Sequence, residues 1–318
     1  MSVDYTVVIP TVGRECLSVV LNALADGHGP APREVIVVDD RPHPGPDLPV
    51  PEGIQVVRSG GRGPAAARNA GWRAAKSEWI AFLDDDVLPP PDWKASLVKD
   101  VAELPVDVAA TQARIVVPLP ADRAPTDWER GTAGLMDGRW ITADMAYRRT
   151  VLARVGGFDE RFPRAYREDA ELALRVQAAG HRIVAGDRET VHPVREAGFL
   201  ASLRAQRGNA DDALMRRLLG PGWRAKVGGR PTRLPWHAAT TAAGLAAVLF
   251  GLKSWRPAAL LAGLVWGGLT AQFAYHRIAP GPKTVDEIAR MVVTSVAIPP
   301  AACVHRLRGE LRHRAVRR

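Results

Sequence analysis

The sequence predicts an α/β fold, with a mostly parallel sheet flanked by helices, followed by a C-terminal apolar helical region. Short apolar runs of strand length alternate with segments of helical spacing over the first part of the chain. Two of these runs end in adjacent carboxylates, and ligands bind beyond the carboxyl ends of parallel strands. After about Gly222 long uncharged runs replace this pattern. We therefore expect an α/β domain over residues 1–222 and a helical region over residues 223–318.

The elements follow in order from apolar runs and the turn residues that bound them. Strands are predicted at four β-rich runs, which are residues 5–10, 34–38, 54–57 and 79–83, and the first and last of these are expected to be buried. Helical spacing of Leu, Val and Ala predicts helices at residues 15–25, after Gly63, at 92–104 and at 167–176. A further strand is expected at 108–117, a loop at 118–130, and a strand leading into a helix from Ile141.

The stretch Trp79–Asp86 organises the rest of the chain, because an apolar strand ends in Asp84, Asp85 and Asp86. Adjacent carboxylates repel one another, and a divalent cation is the simplest reason to tolerate them. If the chain is still extended there, Asp84 and Asp86 point to the same side. Such a pair suits Mg²⁺ or Mn²⁺ bridging to substrate phosphates. A solvated acidic loop is the alternative.

Charge is distributed unevenly along the chain. Residues 195–318 carry 20 Lys and Arg against 6 Asp and Glu, so the first 194 residues hold −5 of the total charge of +9. An acidic front half argues against a nucleic-acid-binding surface. Cys16 and Cys303 lie far apart and form no metal or disulfide pattern, which fits a reducing compartment. Nothing before the first strand resembles a secretory signal.

Other polar groups at the strand ends have both a functional and a structural interpretation. Asp39 and Asp40 follow the second strand, where they line a ligand site or cap a turn. The glycine-rich stretch 60–71 lacks the spacing of a dinucleotide or phosphate loop. Arg68 is either a surface arginine or a guanidinium positioned for a diphosphate or a base edge.

Glu168 and Asp169 start a predicted helix, where negative charge is favoured by the helix dipole. The functional alternative is a general base aimed at a bound hydroxyl. His192 is either an ordinary loop histidine or a further metal ligand.

The order of these motifs resembles that of the family 2 glycosyltransferases, which are nucleotide-sugar enzymes of GT-A fold. The resemblance covers residues 4–215 approximately and rests on six segments, Val7–Thr11, Val37–Asp40, Ala67–Gly71, Phe82–Asp86, Gly156–Glu160 and Glu168–Asp169. It implies a sheet that binds the nucleotide at its first half and the acceptor at its second. The donor is then a nucleotide sugar and the cofactor is Mg²⁺ or Mn²⁺.

The resemblance also implies roles for individual residues. Asp169 would be the catalytic base with Glu168 beside it, and Asp86 and His192 would hold the metal. Asp144 would lie on the acceptor side. The nucleotide-sugar pocket would be lined by seven residues, namely Pro10, Thr11, Asp39, Asp40, Arg68, Asp84 and Asp85. One base and no covalent intermediate imply inversion at the anomeric carbon.

Two positions depart from the family pattern. Gln206 and Arg207 lie where processive members carry a Gln-x-x-Arg-Trp motif, but Gly208 follows here, which favours a single transfer. Arg41 and Pro42 replace the usual small continuation after Asp40, which changes the donor loop.

The C-terminal region contains runs without formal charge at residues 234–252 and 257–276, each close to the length of a membrane span. A third run, 291–304, is broken by Pro299 and Pro300. A membrane hairpin and a pair of helices packed on the protein or lying in the interface both fit, and we favour membrane association. The basic tail would attract anionic lipid. These features suggest a lipid-linked or envelope glycan acceptor and a location on the cytoplasmic face of the cell membrane.

Two other functions compete with sugar transfer. A sugar-phosphate nucleotidyltransferase would want a Gly-rich loop with a basic residue after the first strand, of which Val12-Gly13-Arg14 is a faint version. A catalytically inactive membrane scaffold would be expected to lose its strand-end carboxylates, yet all are present.

Overall fold

A computed structural model describes residues 3–43, 45–229 and 231–316. The chain divides into two compact units, the first made of residues 1–118 and 134–194 and the second of residues 119–133 and 195–318. The division after residue 194 lies before the position expected from composition, at residue 222. Residues 195–222 pack with the C-terminal helices, and so does a short segment inserted between two strands of the first unit.

The first unit is built on a seven-stranded sheet. Its strands in chain order are β1 (Tyr5–Thr11), β2 (Glu34–Asp39), β3 (Gln55–Arg58), β4 (Trp79–Leu83), β5 (Val108–Val116), β6 (Asp144–Arg148) and β7 (Arg182–Val191). The spatial order is β3-β2-β1-β4-β6-β5-β7. Every pairing is parallel except those of β6, which runs antiparallel to β4 and β5. The predicted α/β class with a mostly parallel sheet is confirmed.

The helices of the described residues are α1 (Cys16–Asp26), α2 (Pro64–Ala74), α3 (Trp93–Ala102), α4 (Asp127–Ala133), α5 (Arg149–Val155), α6 (Glu168–Ala178), α7 (Ala201–Arg204), α8 (Gly208–Leu219), α9 (Trp223–Lys226), α10 (Leu234–Leu252), α11 (Arg256–Ile278) and α12 (Val285–Arg312). The loop predicted for residues 118–130 is partly wrong, because α4 begins at Asp127. Its start is a capping box, in which Thr126 N–H donates to the Glu129 carboxylate at 2.7 Å and Glu129 N–H donates to Thr126 Oγ1 at 3.3 Å. The Glu287 carboxylate also accepts from the Asp127 backbone N–H at 2.8 Å. The Thr126-x-x-Glu129 pattern is visible in local sequence, whereas the contact with Glu287 is not.

Helix α2 packs directly on the centre of the sheet. Its residues Ala65, Ala66 and Ala67 are fully buried. A Cβ atom at Gly71 would lie 3.0 Å from Val38 Cγ2 and closer still to Val8 Cγ1. The small side chains of the predicted Ala-rich helix therefore let α2 approach β1 and β2 closely.

The second unit contains the C-terminal helices. The break predicted at Pro299 and Pro300 is wrong, because α12 continues through both prolines to Arg312. Each proline lacks a backbone N–H and removes a helical hydrogen bond. Burial of Ile298, Pro299 and Ala302 outweighs that local loss, as packing commonly overrides propensity.

By length and composition, two helices of the described part of the chain are able to cross a membrane, namely α11 and α12. Helix α10, predicted as half of a hairpin, is not one of them. Large apolar side chains of α10 and α11 are nevertheless exposed, among them Leu245, Val248, Leu249, Leu260, Leu261 and Leu264.

Candidate active site

The candidate site lies at the carboxyl edge of the sheet in the first unit. Strands β1 and β2 are parallel and in register, so that Thr11 is paired with Asp39 at their ends and Pro10 with Val38. Strand β4 lies on the other side of β1 and ends immediately before Asp84. The topology therefore brings the ends of β1, β2 and β4 to one edge, as the alternating pattern predicts.

The three carboxylates after β4 diverge. The chain turns at Asp85 and Asp86, so it is not extended there and the condition under which Asp84 and Asp86 would share a side is not met. Asp84 accepts from Arg68, Asp85 from Thr11 and Arg14, and Asp86 lies near His192. The turn thus relieves the repulsion between neighbouring carboxylates by giving each one a different partner.

Asp85 joins the end of β4 to the end of β1. It is buried and accepts a hydrogen bond from Thr11 Oγ1 at 2.6 Å, while Arg14 forms an ion pair with its other oxygen. Burial raises the pKa of Asp85, and the bonds from Thr11 and Arg14 oppose that rise. Sequence reasoning did not assign Arg14 to the site, although it follows β1 at the same edge as the predicted residues.

Arg68 connects the strand ends to the Glu168-Asp169 pair. The guanidinium is 2% exposed and donates from Nη2 to Asp84 Oδ1 and from Nη1 to Glu168 Oε1, both at 2.8 Å. It also lies 5.6 Å from the centre of the Phe158 ring. Its Nε and Glu168 Oε2 are buried atoms without a hydrogen-bond partner within the described ranges. The surface-arginine interpretation is therefore wrong.

The turn before helix α6 is anchored on α2 beside Arg68. Asn69 donates to the Phe158 carbonyl and accepts from its backbone N–H, both at 2.9 Å. Gly157 has φ +75°, and a Cβ there would lie 2.7 Å from Trp72 Nε1, so glycine suits both the backbone and the space. One face of α2 consequently positions the segment that leads to Glu168.

Glu168 and Asp169 form a closely coupled acidic pair at the start of α6. Burial and the charge of Asp169 raise the pKa of Glu168 to about 8. Burial also raises the pKa of Asp169, against a backbone hydrogen bond from Ala170 at 2.7 Å. Glu168 thus retains a proton near neutral pH, and Asp169 is a stronger base than an ordinary aspartate.

Asp39 is held by Arg41 at the end of β2. Arg41 donates from Nε to Oδ1 at 2.8 Å and from Nη2 to Oδ2 at 2.7 Å, and these bonds lower the pKa of Asp39. The same Nη2 donates to the Pro46 carbonyl at 2.9 Å. The departure from the family pattern at Arg41 therefore places a cation on the carboxylate predicted to contact the nucleotide.

Asp40 organises the glycine-rich turn before α2. It accepts from Ser59 Oγ at 2.7 Å and from the backbone N–H groups of Arg62 and Gly63 at 3.0 and 2.9 Å. These bonds are the turn-capping interactions that the structural interpretation of Asp39-Asp40 describes. They fix the turn that leads into α2 and Arg68.

Asp86 and His192 are brought together by a single bridge between Leu88 and Val191. His192 Nδ1 lies 3.2 Å from the Pro193 carbonyl, which can only accept, so Nδ1 carries the proton in that contact. In the neutral ring Nε2 then presents a lone pair to Asp86 Oδ1, 3.8 Å away. An oxygen and a nitrogen ligand facing each other fit a divalent cation. No group of three or more potential ligand side chains occurs within residues 3–43, 45–229 and 231–316.

Asp144 belongs to the core and not to an open acceptor site. It is 0% exposed and accepts from Trp93 Nε1 at 2.6 Å, from Arg188 Nε at 2.9 Å and from Thr190 Oγ1. Arg188 is itself buried and pairs with Asp100 at 2.7 Å. A bound acceptor could reach this carboxylate only by displacing core side chains. The placement therefore argues against the predicted acceptor role.

Comparison with known proteins gives a family match over part of the chain. Residues 6–143 match the family model described as glycosyl transferase family 2. A pre-mycofactocin glycosyltransferase of Mycobacterium tuberculosis is 31% identical over 135 residues, which are 38% of this chain and 28% of that protein. The chain thus spans well under half the length of this curated relative.

A solved structure shares the fold. It is the mannosyltransferase PcManGT from Pyrobaculum calidifontis in complex with GDP-Man and Mn²⁺, which aligns with a TM-score of 0.53 and 18% identity over 96% of this chain and 88% of that one. Residues 6–143 are thus similar to the family 2 glycosyltransferases, and the chain shares the fold of this solved structure.

Proposed function

We propose that the chain transfers a sugar, with inversion, from a nucleotide-sugar donor to an acceptor hydroxyl in a metal-dependent reaction. The observation that carries the proposal is Arg68, which is buried between Asp84 at the end of β4 and Glu168 beside Asp169. This bridge ties the predicted donor residues to the predicted base. A solvated acidic loop would have no need of such a buried connection.

The donor would lie over the ends of β1, β2 and β4. Pro10, Thr11 and Asp39 are at these ends, and Asp84 and Asp85 follow β4. Arg68 offsets negative charge as the nucleoside diphosphate leaves. Asp40 acts through the turn that it holds, which keeps α2 and Arg68 in place.

Asp86 and His192 would hold the metal, because their facing oxygen and nitrogen are 3.8 Å apart. With only two such side chains, donor phosphates and water would complete the coordination, as is usual for Mg²⁺ and acceptable to Mn²⁺. When bound, a divalent cation stabilises the charge that develops on the leaving diphosphate. The relative PcManGT was solved with Mn²⁺, which supports this choice of cofactor.

Asp169 would remove the proton of the acceptor hydroxyl as that oxygen attacks the anomeric carbon. Its raised pKa suits this task, and Glu168, protonated near neutral pH, does not compete for the proton. One base acting in a single displacement inverts the anomeric configuration. The absence of the Gln-x-x-Arg-Trp motif after Gln206 favours one transfer per acceptor.

The acceptor would be lipid-linked or an envelope glycan, and the enzyme would act at the cytoplasmic face of the membrane. Exposed Leu side chains of α10 and α11, and the lengths of α11 and α12, support membrane association. The basic segment after residue 305 supports the cytoplasmic side through the positive-inside tendency. Neither the acidic charge of the front half nor this site suggests a nucleic acid partner.

The test is turnover of a panel of nucleotide sugars by detergent-solubilised protein, with Mn²⁺, with Mg²⁺ and with a chelator. We expect one donor to release nucleoside diphosphate only with metal. Asp86→Ala should lose the metal-dependent turnover. Asp169→Asn should lower kcat about 10²–10⁴-fold while donor binding persists. Asp187→Asn, on an exposed carboxylate, is the matched control.

Two outcomes would contradict the proposal. Pyrophosphate release from a nucleoside triphosphate and a sugar phosphate would favour the nucleotidyltransferase. If no donor is bound or turned over, even with membrane lipids, the inactive scaffold becomes the better explanation.

A further inference from the structure

The second unit contains a cavity of about 320 Å³ that the proposed transfer reaction does not use. It lies between the first turns of α10 and the last turns of α11, and residues 231–240 and 269–276 provide its lining. Its volume is within the range of small-ligand sites, which starts near 300 Å³. The cavity therefore has room for a ligand group of its own.

The lining of the cavity is basic and aromatic. Arg233, His237 and His276 contribute to it, together with Trp236 and Phe273. None of the described lining residues is acidic. Arg233 is exposed, has no carboxylate partner among the described residues, and lies with its guanidinium carbon 5.7 Å from the centre of the Phe273 ring. A guanidinium at the mouth of a cavity that has no acidic lining suits an anionic ligand.

His237 adds a second polar group to the lining. Only 9% of the residue is exposed, and its ring packs edge-on against Phe273 at 5.0 Å. Its ring nitrogens are open to the solvent of the cavity and are available to a ligand there.

The position of the cavity along the helices indicates what kind of anion it would bind. From the cavity, α10 and α11 run to the Lys253–Arg256 connection and expose Leu side chains such as Leu249 and Leu260. Helix α11 has 23 residues, or about 35 Å, which exceeds the hydrocarbon thickness of a bilayer. The cavity is at one end of this length, where lipid headgroups would be.

Trp236 lies at the same end of the helices as the cavity. It lines the cavity and is 63% exposed, and tryptophan is enriched at the boundary between headgroups and acyl chains. We propose that the cavity binds the phosphate group of an anionic lipid, with Arg233 and His237 contacting the phosphate and the acyl chains lying along the exposed faces of α10 and α11. The inference goes beyond sugar transfer, because it assigns a lipid-phosphate site outside the strand-end carboxylates.

The proposal is tested by titrating the full-length protein in a non-ionic detergent with dioctanoyl phosphatidate, using calorimetry. Arg233→Gln should weaken binding about tenfold or more, since a charge-assisted hydrogen bond contributes about 1.5–3 kcal/mol. His237→Gln should also weaken it. Arg256→Gln makes the same charge change on an exposed residue at the other end of α11, and should change affinity less than about twofold.

Two comparison ligands separate the possible sources of the anion. Dioctanoyl phosphatidylcholine should bind much more weakly than the phosphatidate, and inorganic phosphate should not displace the phosphatidate. Displacement by inorganic phosphate at similar concentrations would overturn the lipid assignment in favour of a free-anion site. Equal losses in Arg233→Gln and Arg256→Gln would overturn the site itself and indicate diffuse charge attraction. Donor turnover is measured separately, so failure here is distinguishable from failure of the transferase proposal.

Discussion

At the scale of single residues, the site is governed by how buried charges are paired. Arg68 and Glu168 are both 2% exposed, and Arg68 Nη1 lies 2.8 Å from Glu168 Oε1. Burial of either polar group without the other would lower the stability of the folded protein. Asp169 adds a second carboxylate, which raises the pKa of Glu168. The pair Glu168-Asp169 therefore separates into a carboxyl that keeps its proton and a carboxylate that can accept one.

This arrangement predicts a pH-dependent cost of Glu168 to stability. Its pKa rises from an ordinary value of 4.5 to about 8 in the folded protein. Between these values the folded state binds more protons than the unfolded state, so the contribution of Glu168 to stability falls as pH rises. Glu168→Gln removes this titration. Relative to wild type, the variant should therefore gain stability from pH 5 to pH 8, by up to about 1.4 kcal/mol per pH unit.

Thermal unfolding of both proteins at several pH values measures this difference. The change in packing and in the neutral hydrogen bond from Arg68 shifts the variant by an amount that changes little with pH, so the slope is the informative quantity. Glu129→Gln serves as the control, because bonds from Arg123 lower the pKa of Glu129 to about 2; that carboxylate stays ionised from pH 5 to pH 8 in the folded and the unfolded protein, so the control should show no such slope. A pH-independent difference for Glu168→Gln would mean that Glu168 is already ionised in the folded protein.

At the scale of elements, helix α2 determines the geometry of the site. On this one helix, Arg68 contacts Asp84 after strand β4, and Asn69 bonds the turn at Phe158. Gly71 packs against the surface of the sheet. The Ala-rich composition of α2 is thus a packing requirement, since larger side chains would move the helix away from β1. A shift of α2 would separate Arg68 from both of its carboxylates.

Gly71→Ala tests this dependence. The added methyl would overlap Val8 and press on Val38, so we expect a loss of about 1–3 kcal/mol in stability and a lower kcat/KM through displacement of Arg68. Gly131→Ala in α4 is the control, because a Cβ there would meet no other atom within 4 Å. Chemical denaturation and donor turnover provide the two measurements. Unchanged stability in Gly71→Ala would show that the sheet yields easily and that close packing is not required.

At the scale of the whole molecule, the chain alternates between its two units. The segment 119–133 leaves the sheet after β5, joins the second unit and returns before β6. Within the second unit Asp127 accepts from Arg277 Nη2 at 2.8 Å and from Ser202 Oγ at 2.9 Å. Arg277 also donates to Thr294 at 2.8 Å, which joins α4, α11 and α12 in one polar network. Deleting residues 230–318 would therefore remove Arg277 from Asp127 as well as the apolar helices, while Ser202 and Arg130 would remain beside Asp127.

A point variant examines this network more cleanly than a truncation. Arg277→Met should destabilise the protein by about 3–5 kcal/mol, because Asp127 would keep a partly buried charge without its main partner. Adding Asp127→Asn should recover part of that loss. Arg256→Met, on an exposed arginine of the same helix, should be nearly neutral. Thermal unfolding in detergent distinguishes these cases, and an equal effect of the two arginine variants would contradict the network.

Local sequence predicts the mostly parallel sheet, the chain order of its elements and the location of Asp39 and Asp84 at strand ends. These features depend on local periodicity and on where apolar runs end, both of which are visible in one dimension. The C-terminal helices were visible for the same reason, as long runs without charge.

Which polar side chains meet depends on the tertiary fold. Arg68 pairs with Glu168 across 100 positions of sequence, and Asp144 is hydrogen-bonded by Arg188 and Trp93 in the core. The unit boundary and the continuity of α12 through Pro299 also depend on distant contacts. Pairing energies and burial arise between residues that are far apart in the chain, and local sequence does not encode their distances.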